Sequence, residues 1–556
     1  MQLKSRKILA VILIFTMVLA AGCQAVAGLD LNQMLKNMMK VTSAEGKVEY
    51  EFKLNLNEDE LTQQAAEGGL SDEEAEEMLQ LLRQYSHIKL VLDKYKVEDE
   101  TKLSMEGSIS FGEQDKLGFD VKMNETLAVI KLDGAKEPFS IDLTGKHAQN
   151  LERKYYEDEL GWDYDDMYGT YEADELALDE EAIVETVQQI SELISNYTIE
   201  RLPNIDSLSV TSVNEEINGI NTDLLAVKGE IKGMELWSWA KKLIDSIASD
   251  REGLEKLVGD IITIYEEKEE LFASLGAGSL EEFFFIEEDS EEEGTEQDIK
   301  QLAVDELVTA LQELQQSMLE LEQEEEATLK QVLNDSLLVT FDYGVDKDLN
   351  VRKQGLSIQY SIDQELKEEL ELYGIDGFSL TSTSQLWNVN GDVKADEPRT
   401  TLFTVSLEAL PYMEGFEIAA LFEEDSFIDH ILREQLHITE QYYFTYPYDD
   451  EGNGLYLNEK KQAMIPARDI IEEFGGKVSY NHQDQSIVLE DRATGSTIIV
   501  VLGSNRAIVN GKVVEWSSEP EVRNGVVYVP ARSLAEALQA DITWYNPGFI
   551  EITREP

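Results

Sequence analysis

The side chains best suited to catalysis are few and scattered along this chain. The five histidines are His87, His147, His430, His437 and His482. His430 and His437 fall on one predicted helix, but seven residues separate them by two turns, too far for one tetrahedral or square metal site without further ligands. We therefore predict that the histidines are surface or packing residues and that the chain holds no metal site.

Carboxylates are so abundant that pairs of them carry no information. With 113 Asp and Glu residues, paired carboxylates arise by chance and cannot locate an acid–base dyad. Segments 163–166 and 346–350 have acidic spacing like that of calcium loops, but both lack the Gly and Glu that an EF-hand needs. The second is better explained as a hairpin turn, which leaves weak calcium association as an alternative. The sequence also has no phosphate-binding Gly loop and no Gly-x-Ser-x-Gly elbow. We predict no catalytic residue, no cofactor and no enzymatic activity.

Cys23 is the only cysteine, and it directly follows an N-terminal apolar segment. A basic start, the apolar run Ile8–Val18 and small residues before Cys23 predict a secretory signal peptide over residues 1–22. The run is too short to cross a hydrocarbon core of ~30 Å comfortably. Small residues followed by Cys resemble the lipobox of bacterial lipoproteins, which implies that the Cys23 thiol is acylated and becomes the new N-terminus. An ordinary cleaved signal with an incidental cysteine is the alternative.

The charge balance excludes several classes of partner. The chain has a formal net charge of −67, from 113 acidic and 46 basic residues. Nucleic-acid binding needs clustered Lys and Arg and is therefore excluded. Anionic lipid and anionic wall polymers should be repelled by such a surface. A covalent lipid would then be needed to hold the protein at a membrane.

Composition changes near Tyr446 and divides the chain. Residues 446–556 hold 17 acidic and 10 basic residues and six of the ten prolines, whereas the rest holds 96 acidic and 36 basic residues. We predict an anchor-proximal helix or linker at 23–45, an acidic sheet domain at 46–425, a linker helix at 426–445 and a C-terminal domain at 446–556. Leu, Ile and Met stripes predict a helical insertion in the sheet domain at about 234–336.

The predicted sheet domain consists of short alternating segments. Val48, Tyr50, Phe52 and Leu54 alternate with polar residues, as in a strand with one wet face. Further alternating runs follow to Leu143, separated by short polar turns, which indicates an antiparallel meander. Such a sheet behind a lipid anchor resembles the half-barrel lipoproteins that carry lipids or lipoproteins between membranes. This resemblance implies a concave apolar face.

The last 110 residues or so contain one motif twice. The segment 463–475 is echoed by 527–538, and the two motif arginines are 64 residues apart. Each copy predicts a strand, a Pro in the first helical turn, a short helix and two further strands. Pairs four residues apart, Arg468/Glu472 and Arg532/Glu536, should support the helices. The candidate motif residues are Pro466, Arg468, Glu472, Pro530, Arg532, Glu536, Asn510 and Gly511.

These motifs resemble the copper amine oxidase N-terminal-like domain, also called the stalk domain. The shared features are the Asn-Gly-Lys hairpin at 510–512, the Val-Pro-Ala-Arg segment at 529–532 and the strand ending at Trp544. Gln539 stands where the family usually has Gly. The resemblance implies a small antiparallel sheet packed on a helix, without catalysis, serving as a stalk or surface-binding module.

The catalytic part of copper amine oxidases has no counterpart in this sequence. Those enzymes use a Tyr-derived quinone in an Asn-Tyr-Asp/Glu motif and three copper-binding histidines. The nearest segment here is Asn196-Tyr197-Thr198, which has the wrong third residue, and no His-x-His occurs. We therefore expect neither amine oxidation nor bound copper.

Together these observations predict an α+β protein. It has an antiparallel β-rich middle domain with helical insertions and a small C-terminal α+β stalk-type module with an internal repeat. We expect a lipid-anchored, extracytoplasmic, non-catalytic binding or stalk protein at the bacterial cell surface. The alternative is a carrier of lipid or another hydrophobic ligand, of the half-barrel lipoprotein type. The expected partners are the membrane, through the lipid on Cys23, and a cell-envelope polymer or surface protein.

Overall fold

The computed structural model describes residues 29–112, 115–147, 151, 153, 180–276, 279–284, 296–447, 454–481, 486–545 and 548–556. The predicted signal peptide with Cys23, the acidic segment 163–166 and His482 lie outside the described residues. The chain divides into two compact units, Met1–Ala128 with Gly161–Arg399 and Val129–Leu160 with Thr400–Pro556. The fold is mixed α and β, with a large antiparallel sheet and a strand-rich C-terminal module, as the sequence predicts.

Nine antiparallel strands form the sheet of the first unit. In spatial order they are β4 (Asp115–Met123), β3 (Leu103–Phe111), β2 (His87–Val97), β1 (Ala44–Leu56), β11 (Ile375–Trp387), β10 (Val351–Ser361), β9 (Leu338–Val345), β8 (Ile220–Lys232) and β7 (Ser209–Ile217). Many apolar residues of neighbouring strands lie opposite each other, although Ser382 of β11 lies opposite Tyr50. Tyr50 lies opposite Leu90, and Leu90 lies opposite Ile109. Because side chains alternate between faces, this register places the apolar residues on one face of the sheet.

Two glycines allow large aromatic rings to cover the backbone of this sheet. A Cβ atom on Gly107 would lie 2.2 Å from the carbonyl oxygen of Val91 and 3.1 Å from the ring of Phe119. A Cβ atom on Gly46 would lie 2.6 Å from the ring of Tyr95. Register shifts occur in β1 and β2 close to these positions. Bulges and glycines covered by rings are devices that curve a sheet.

Helices accompany the sheet of the first unit, and some of them cover its β8–β9 end. They are α1 (Leu31–Met39), α2 (Glu58–Glu67), α3 (Asp72–Tyr85), α4 (Glu180–Ile199), α5 (Gly233–Ala248), α6 (Arg251–Glu267), α7 (Glu269–Ser274), α8 (Leu280–Phe283), α9 (Glu296–Glu324), α10 (Glu326–Val332) and α11 (Gln364–Leu370). Helices α5 to α10 form the helical insertion predicted from the sequence. Leu35 of α1 and Trp239 of α5 belong to one core cluster with Val227 of β8 and Phe341 of β9. The apolar face of β8 and β9 is therefore buried under helices.

The second unit begins with a small strand and helix region. It contains β5 (Leu127–Leu132), within which the unit boundary falls, β6 (Phe139–Asp142), β12 (Val405–Ser406), α12 (Gly415–Ala419) and α13 (Phe427–His430). The amide of Lys136 donates to the carbonyl of Leu421 at 2.9 Å, and the amide of Glu423 donates to the carbonyl of Gly134 at 2.7 Å. Because of such bonds, residues that the sequence assigns to the middle domain group with the C-terminal residues.

The C-terminal module comprises three small sheets and two short helices. Its elements are β13 (Gln441–Thr445), β14 (Tyr456–Leu457), β15 (Ala463–Pro466), α14 (Ala467–Glu473), β16 (Lys477–Asn481), β17 (Ser486–Glu490), β18 (Thr497–Val501), β19 (Arg506–Val509), β20 (Lys512–Glu515), β21 (Glu521–Arg523), β22 (Val526–Pro530), α15 (Ala531–Ala537), β23 (Asp541–Tyr545) and β24 (Phe549–Arg554). The sheets have the orders β13-β24-β23, β14-β15-β22-β21 and β16-β17-β18-β19-β20.

The core of this module lies around its two helices. Ile470, Ile471 and Phe474 from α14 and its end are at most 1% exposed, and Leu534 and Leu538 from α15 and its end are fully buried. They pack in one cluster with inward side chains of all three sheets. Helical spacing of apolar residues in each motif copy predicts that these side chains face the core, and their burial confirms it.

Two helix predictions near the start of this module are wrong. The segment 426–445 is helical only over α13 and one π-helical turn, Ile431–Gln435, and then forms β13. The strand forms because Tyr443 and Thr445 point into the core while β13 pairs with β24. His437 has a left-handed φ of 49°, outside the helix that ends at His430, so the two histidines do not share a helix.

Candidate functional site

The two motif prolines lie in adjacent strands at the centre of the C-terminal module. Pro466 and Pro530 have extended backbone, with φ of −62° and −64°, and are the N-cap residues of α14 and α15. They therefore lie one residue before the helical position that the sequence predicts. Strands β15 and β22 pair antiparallel, with Ile465 opposite Val529. The two strand-to-helix corners are thus held together by one small sheet.

The motif arginines lie on the surface. Arg468 donates to Glu472 at 2.6 Å, and both side chains are more than half exposed. Arg532 and Glu536 are also exposed, and no ion pair within 4.0 Å joins these two described residues. An exposed pair of this kind contributes at most ~1 kcal/mol to stability. Arg468 thus supports the first turn of α14 through Glu472, whereas the predicted Arg532/Glu536 pair does not form.

The Asn510-Gly511 turn forms as the sequence predicts. Both residues have positive φ, 50° and 77°, and they connect β19 to β20. Positive φ at both central positions is the requirement of a type I′ hairpin, which Asn-Gly meets at least cost. The Asn510 side chain also accepts a hydrogen bond from the amide of Thr497 at 2.9 Å. Its role is therefore structural.

A buried ion pair that the sequence analysis missed lies in the core of the module. Arg554 donates to both oxygens of Asp491, from Nη1 at 2.5 Å and Nη2 at 2.8 Å, and both side chains are only 1% exposed. Arg554 also donates from Nε to Gln441 and from Nη1 to the carbonyl of Leu538. Its guanidinium lies 4.4 Å from the centre of the Phe474 ring. The pair is bidentate and fully hydrogen-bonded, which are the conditions under which a buried pair is tolerated.

The pair holds Asp491 in its charged form. Burial raises the pKa of Asp491, but hydrogen bonds from Arg554 and Thr494 outweigh that effect, so the pKa lies below its usual value. The alternation of inward and outward residues along the strands could have predicted that both side chains of this pair point into the core. Arg554 is in phase with the inward residues Ile550 and Ile552, and Asp491 follows Leu489 by two residues.

A large apolar face of the first unit is the principal candidate for ligand binding. We name as the open apolar face the following residues of β1 to β4 and β11: Val48, Tyr50, Phe52, Ile88, Leu90, Leu92, Met105, Ile109, Leu117, Phe119, Val121 and Leu380. None of these side chains is buried, and Tyr50 is 44% exposed. A protein core would bury them, as the C-terminal module does with its own apolar residues.

The open apolar face continues the surface that the helices cover. From Tyr50 of β1 the register runs through Ser382 of β11 and Leu356 of β10 to Phe341 of β9. Phe341 is only 7% exposed because it lies in the helix-covered core, whereas Tyr50 is 44% exposed. The same face of one sheet is therefore covered at one end and uncovered at the other. Apolar patches beyond a few hundred Å² mark binding sites on soluble proteins.

The opposite face of these strands is polar and carries ion pairs. Glu51 contacts His87 at 2.8 Å, and Lys89 contacts Glu49 at 2.7 Å. A hydrogen bond from Lys53, followed by one from His87, lowers the pKa of Glu51 below its usual value. This face needs no further cover because charged pairs on a strand surface are stable in water. The two faces thus differ in what they can bind.

Tyr360 places an unusual hydroxyl group beside the open apolar face. Its ring lies 5.9 Å from that of Phe378, the neighbour of Leu380 on the same face of β11. The hydroxyl oxygen is buried and has no hydrogen-bond partner among the described residues. Burial raises the pKa of Tyr360 to about 12, so the group stays protonated. It is a free donor in an apolar setting.

A second exposed face lies on the three-stranded sheet of the C-terminal module. We name as the aromatic face Tyr442, Phe444, Tyr446, Tyr545, Phe549 and Glu551. Phe444 and Tyr446 are 49% and 58% exposed. The Phe549 ring stacks on Tyr545 at 4.7 Å and an angle of 9°, and lies 5.2 Å from Tyr446. The other face of this sheet is buried in the core through Ile550 and Ile552, so the rings must point outward.

The described residues contain no metal-binding or membrane-spanning arrangement. No group of three or more His, Cys, Asp or Glu side chains in the described chain is placed to hold a metal ion. Within the same residues, no helix combines the length and apolarity needed to cross a membrane. Segment 346–350 forms the predicted turn between β9 and β10. There the Asp346 carboxylate accepts hydrogen bonds from the amides of Asp348 and Asn350.

Comparison with known proteins bears on the C-terminal module. No curated protein matches the chain. Residues 455–548 match the family model described as the copper amine oxidase N-terminal domain. This span contains both strand-to-helix corners, α14, α15 and the Asn510-Gly511 hairpin. The C-terminal module is therefore similar to the copper amine oxidase N-terminal domain, which is a non-catalytic domain.

Proposed function

We propose that this chain is a lipid-anchored extracytoplasmic protein that binds or spaces partners at the bacterial cell surface without catalysis. The match of residues 455–548 to a non-catalytic domain is the observation that carries the proposal. The basic and apolar residues before Cys23 support the anchor. The charge of −67 supports covalent attachment, because an acidic surface does not adhere to anionic lipid.

We also infer that the C-terminal module consists of two copies of one strand–helix–hairpin unit. Supporting this, β15, α14, β16 and β17 follow each other as β22, α15, β23 and β24 do. The N-cap prolines have almost identical backbone angles, and their strands pair antiparallel, as two copies related by a twofold axis would. A unit of this size cannot bury both faces alone, so pairing two copies completes the core.

Replacing the predicted acylation site tests the anchor. Cys23→Ser should abolish incorporation of labelled palmitate and move the protein from the membrane to the soluble or precursor fraction, because a hydroxyl replaces the thiol that would carry the lipid. Thr16→Ser, in the same apolar segment, keeps Cys23 and is the matched control. Equal palmitate incorporation by both variants would show that Cys23 is not the anchor.

The open apolar face favours a second function, carriage of a lipid or another hydrophobic ligand. An antiparallel sheet with register shifts and one apolar face that its described helices leave open offers a surface on which acyl chains can lie. Burial of apolar surface yields ~25 cal/mol per Å², and the partly exposed side chains of this face would gain from further burial. The Tyr360 hydroxyl beside the face is buried, so a ligand would reach it only after the neighbouring side chains move.

A charge placed on the open apolar face tests this function. Tyr50→Asp should weaken binding of a fluorescent fatty acid about tenfold or more, because the ligand would desolvate a carboxylate. Tyr50 is exposed, so the variant should still fold. Fluorescence titration of the purified chain gives the dissociation constants.

Asn55→Asp is the matched control, because it adds the same charge to the same strand on the polar face. Its affinity should equal that of the unmodified protein. Tyr360→Phe should leave stability unchanged or slightly higher, because the lost hydroxyl has no partner. Equal affinity of Tyr50→Asp and Asn55→Asp, or no binding by the unmodified chain, would exclude the open apolar face as a lipid site.

A further inference from the structure

The aromatic face combines two properties that binding sites for flat, hydroxyl-rich molecules share. Its first property is a row of surface rings, in which exposed Tyr446 and Tyr545 flank the partly buried Phe549. Tyr446, Phe549 and Tyr545 come from three neighbouring segments, with ring centres 5.2 and 4.7 Å apart. Three strands at a spacing of about 4.8 Å make the row roughly 10 Å wide. Aromatic rings present large apolar contact area at low conformational cost.

Its second property is a set of fixed carboxylates. Glu551 accepts a hydrogen bond from the Tyr545 hydroxyl at 2.6 Å, which fixes that ring next to Phe549. Glu440, just before β13, accepts one from the Tyr442 hydroxyl and also contacts Nδ1 of His437 at 3.1 Å. A carboxylate has about four acceptor positions, so each retains capacity for further donors. The aromatic face thus offers apolar contact and strong hydrogen-bond acceptors together, with Glu551 opposite Phe444 on the middle strand.

We propose that the aromatic face binds an uncharged glycan chain. The two faces of a sugar ring carry C–H groups that pack on aromatic rings, and its edge carries hydroxyl groups that donate to carboxylates. The proposal rests on the proposed surface-binding function and names the ligand class for it. In this proposal the C-terminal module binds the glycan, and the open apolar face is not involved.

The charge of the chain selects among the ligands that aromatic rings attract. Anionic polymers and anionic lipid surfaces would meet Glu440 and Glu551 directly, in a chain with a net charge of −67. A hydroxyl-rich neutral polymer is not repelled in this way, and its hydroxyl groups can donate to the remaining acceptor positions of the two carboxylates. The buried side of the same sheet is fixed by Ile550, Ile552 and Arg554, so the rings are presented on a rigid support.

Retention on neutral glycans tests the proposal. The purified full-length chain would be incubated with chitin, cellulose, insoluble β-1,3-glucan and wall glycan stripped of anionic polymers. We expect retention of the unmodified chain on at least one of them. Phe444→Ser and Tyr446→Ser should each lower the affinity for that glycan by at least about tenfold. Val513→Ser is the matched control, since Val513 is a 70% exposed apolar residue of β20 in the same module. Its retention should be unchanged.

Four outcomes would overturn the proposal, and three of them concern binding to glycans or vesicles. These are no retention on any of the four glycans, equal retention of the variants and the control, or binding of the unmodified chain to anionic vesicles that Phe444→Ser abolishes. Concentration-dependent dimerisation lost in the variants would instead assign the aromatic face to a second copy of the chain. Palmitate labelling of Cys23 is unaffected by all these results, so failure here remains distinguishable from failure of the anchor.

Discussion

Arg554→Met is expected to destabilise the C-terminal module by about 3–5 kcal/mol. The substitution leaves the Asp491 carboxylate buried without its bidentate partner, and the cost of an unpaired buried charge exceeds the lost attraction. It also removes hydrogen bonds to Gln441 and to the carbonyl of Leu538. Chemical denaturation of the full-length chain, with hydrogen exchange of the β17 and β24 amides to locate the unfolding, measures the effect.

The double substitution Arg554→Met with Asp491→Leu distinguishes the net contribution of the ion pair from the cost of leaving one charge unpaired. Replacing both charges by apolar residues of similar size should recover most of the loss, because no charge then stays buried. Arg468→Met, at the exposed pair with Glu472, is the matched control and should cost less than ~1 kcal/mol. A cost for Arg468→Met equal to that for Arg554→Met would show that the arginine contacts described here do not determine stability.

The same pair should make the module sensitive to acid. The pKa of Asp491 is lower in the folded module than its usual value of about 3.9. The charged carboxylate therefore stabilises the folded module fully above that usual value. This contribution to stability is lost as the pH falls through the lower pKa of the folded state. The unmodified chain should therefore lose stability steeply below pH ~4 in this module. The double variant lacks this step.

Phe474→Ala should also destabilise the module, by about 3–5 kcal/mol. Phe474 is 1% exposed at the end of α14, where its ring contacts the core and the Arg554 guanidinium. Truncation leaves a cavity in a rigid core and removes one contact of the buried cation. Equilibrium denaturation of the full-length chain, followed by the same β17 and β24 amides, gives the cost.

Val522→Ala, at a 52% exposed position of the same module, is the matched control and should be nearly neutral. The costs of Phe474→Ala and Arg554→Met should not add in the double variant, because the two side chains are in contact. A cost for Phe474→Ala below ~1 kcal/mol would mean that the core can collapse around the missing ring.

Local sequence rules predict the helices and turns of the C-terminal module better than its interior chemistry. The period of 3.6 residues identifies Ile470, Ile471 and Phe474 as buried, and Asn510-Gly511 identifies its hairpin. Such signals are local, because each depends on neighbours within one or two turns. The contact between Asp491 and Arg554 joins residues 63 positions apart, and no local rule identifies which of many charged residues meet.

Long-range pairing also explains the errors at the edges of elements. The segment 441–445 alternates as a strand, but only its bonding with β24 distinguishes it from a frayed helix end. The apolar alternation of β1 predicts one dry face. Only the position of the helices determines that Phe341 is covered and Tyr50 is not. The sequence pattern identifies which side chains are apolar, whereas only the three-dimensional arrangement determines which of them are covered by another element.

The positions of Asp491 and Arg554 have a consequence for how the two halves of the module recognise each other. In the two-copy arrangement that we propose for this module, the hairpin register matches Ile487 with Ile550 and Leu489 with Ile552, and therefore Asp491 with Arg554. If either half associated with the same half of another molecule, two buried carboxylates or two buried guanidinium groups would face each other. Like charges in a dry interior are strongly repelled. The opposite charges therefore favour association of the two different halves and disfavour association of two identical halves. In this arrangement, pairing within one chain is favoured over exchange between chains.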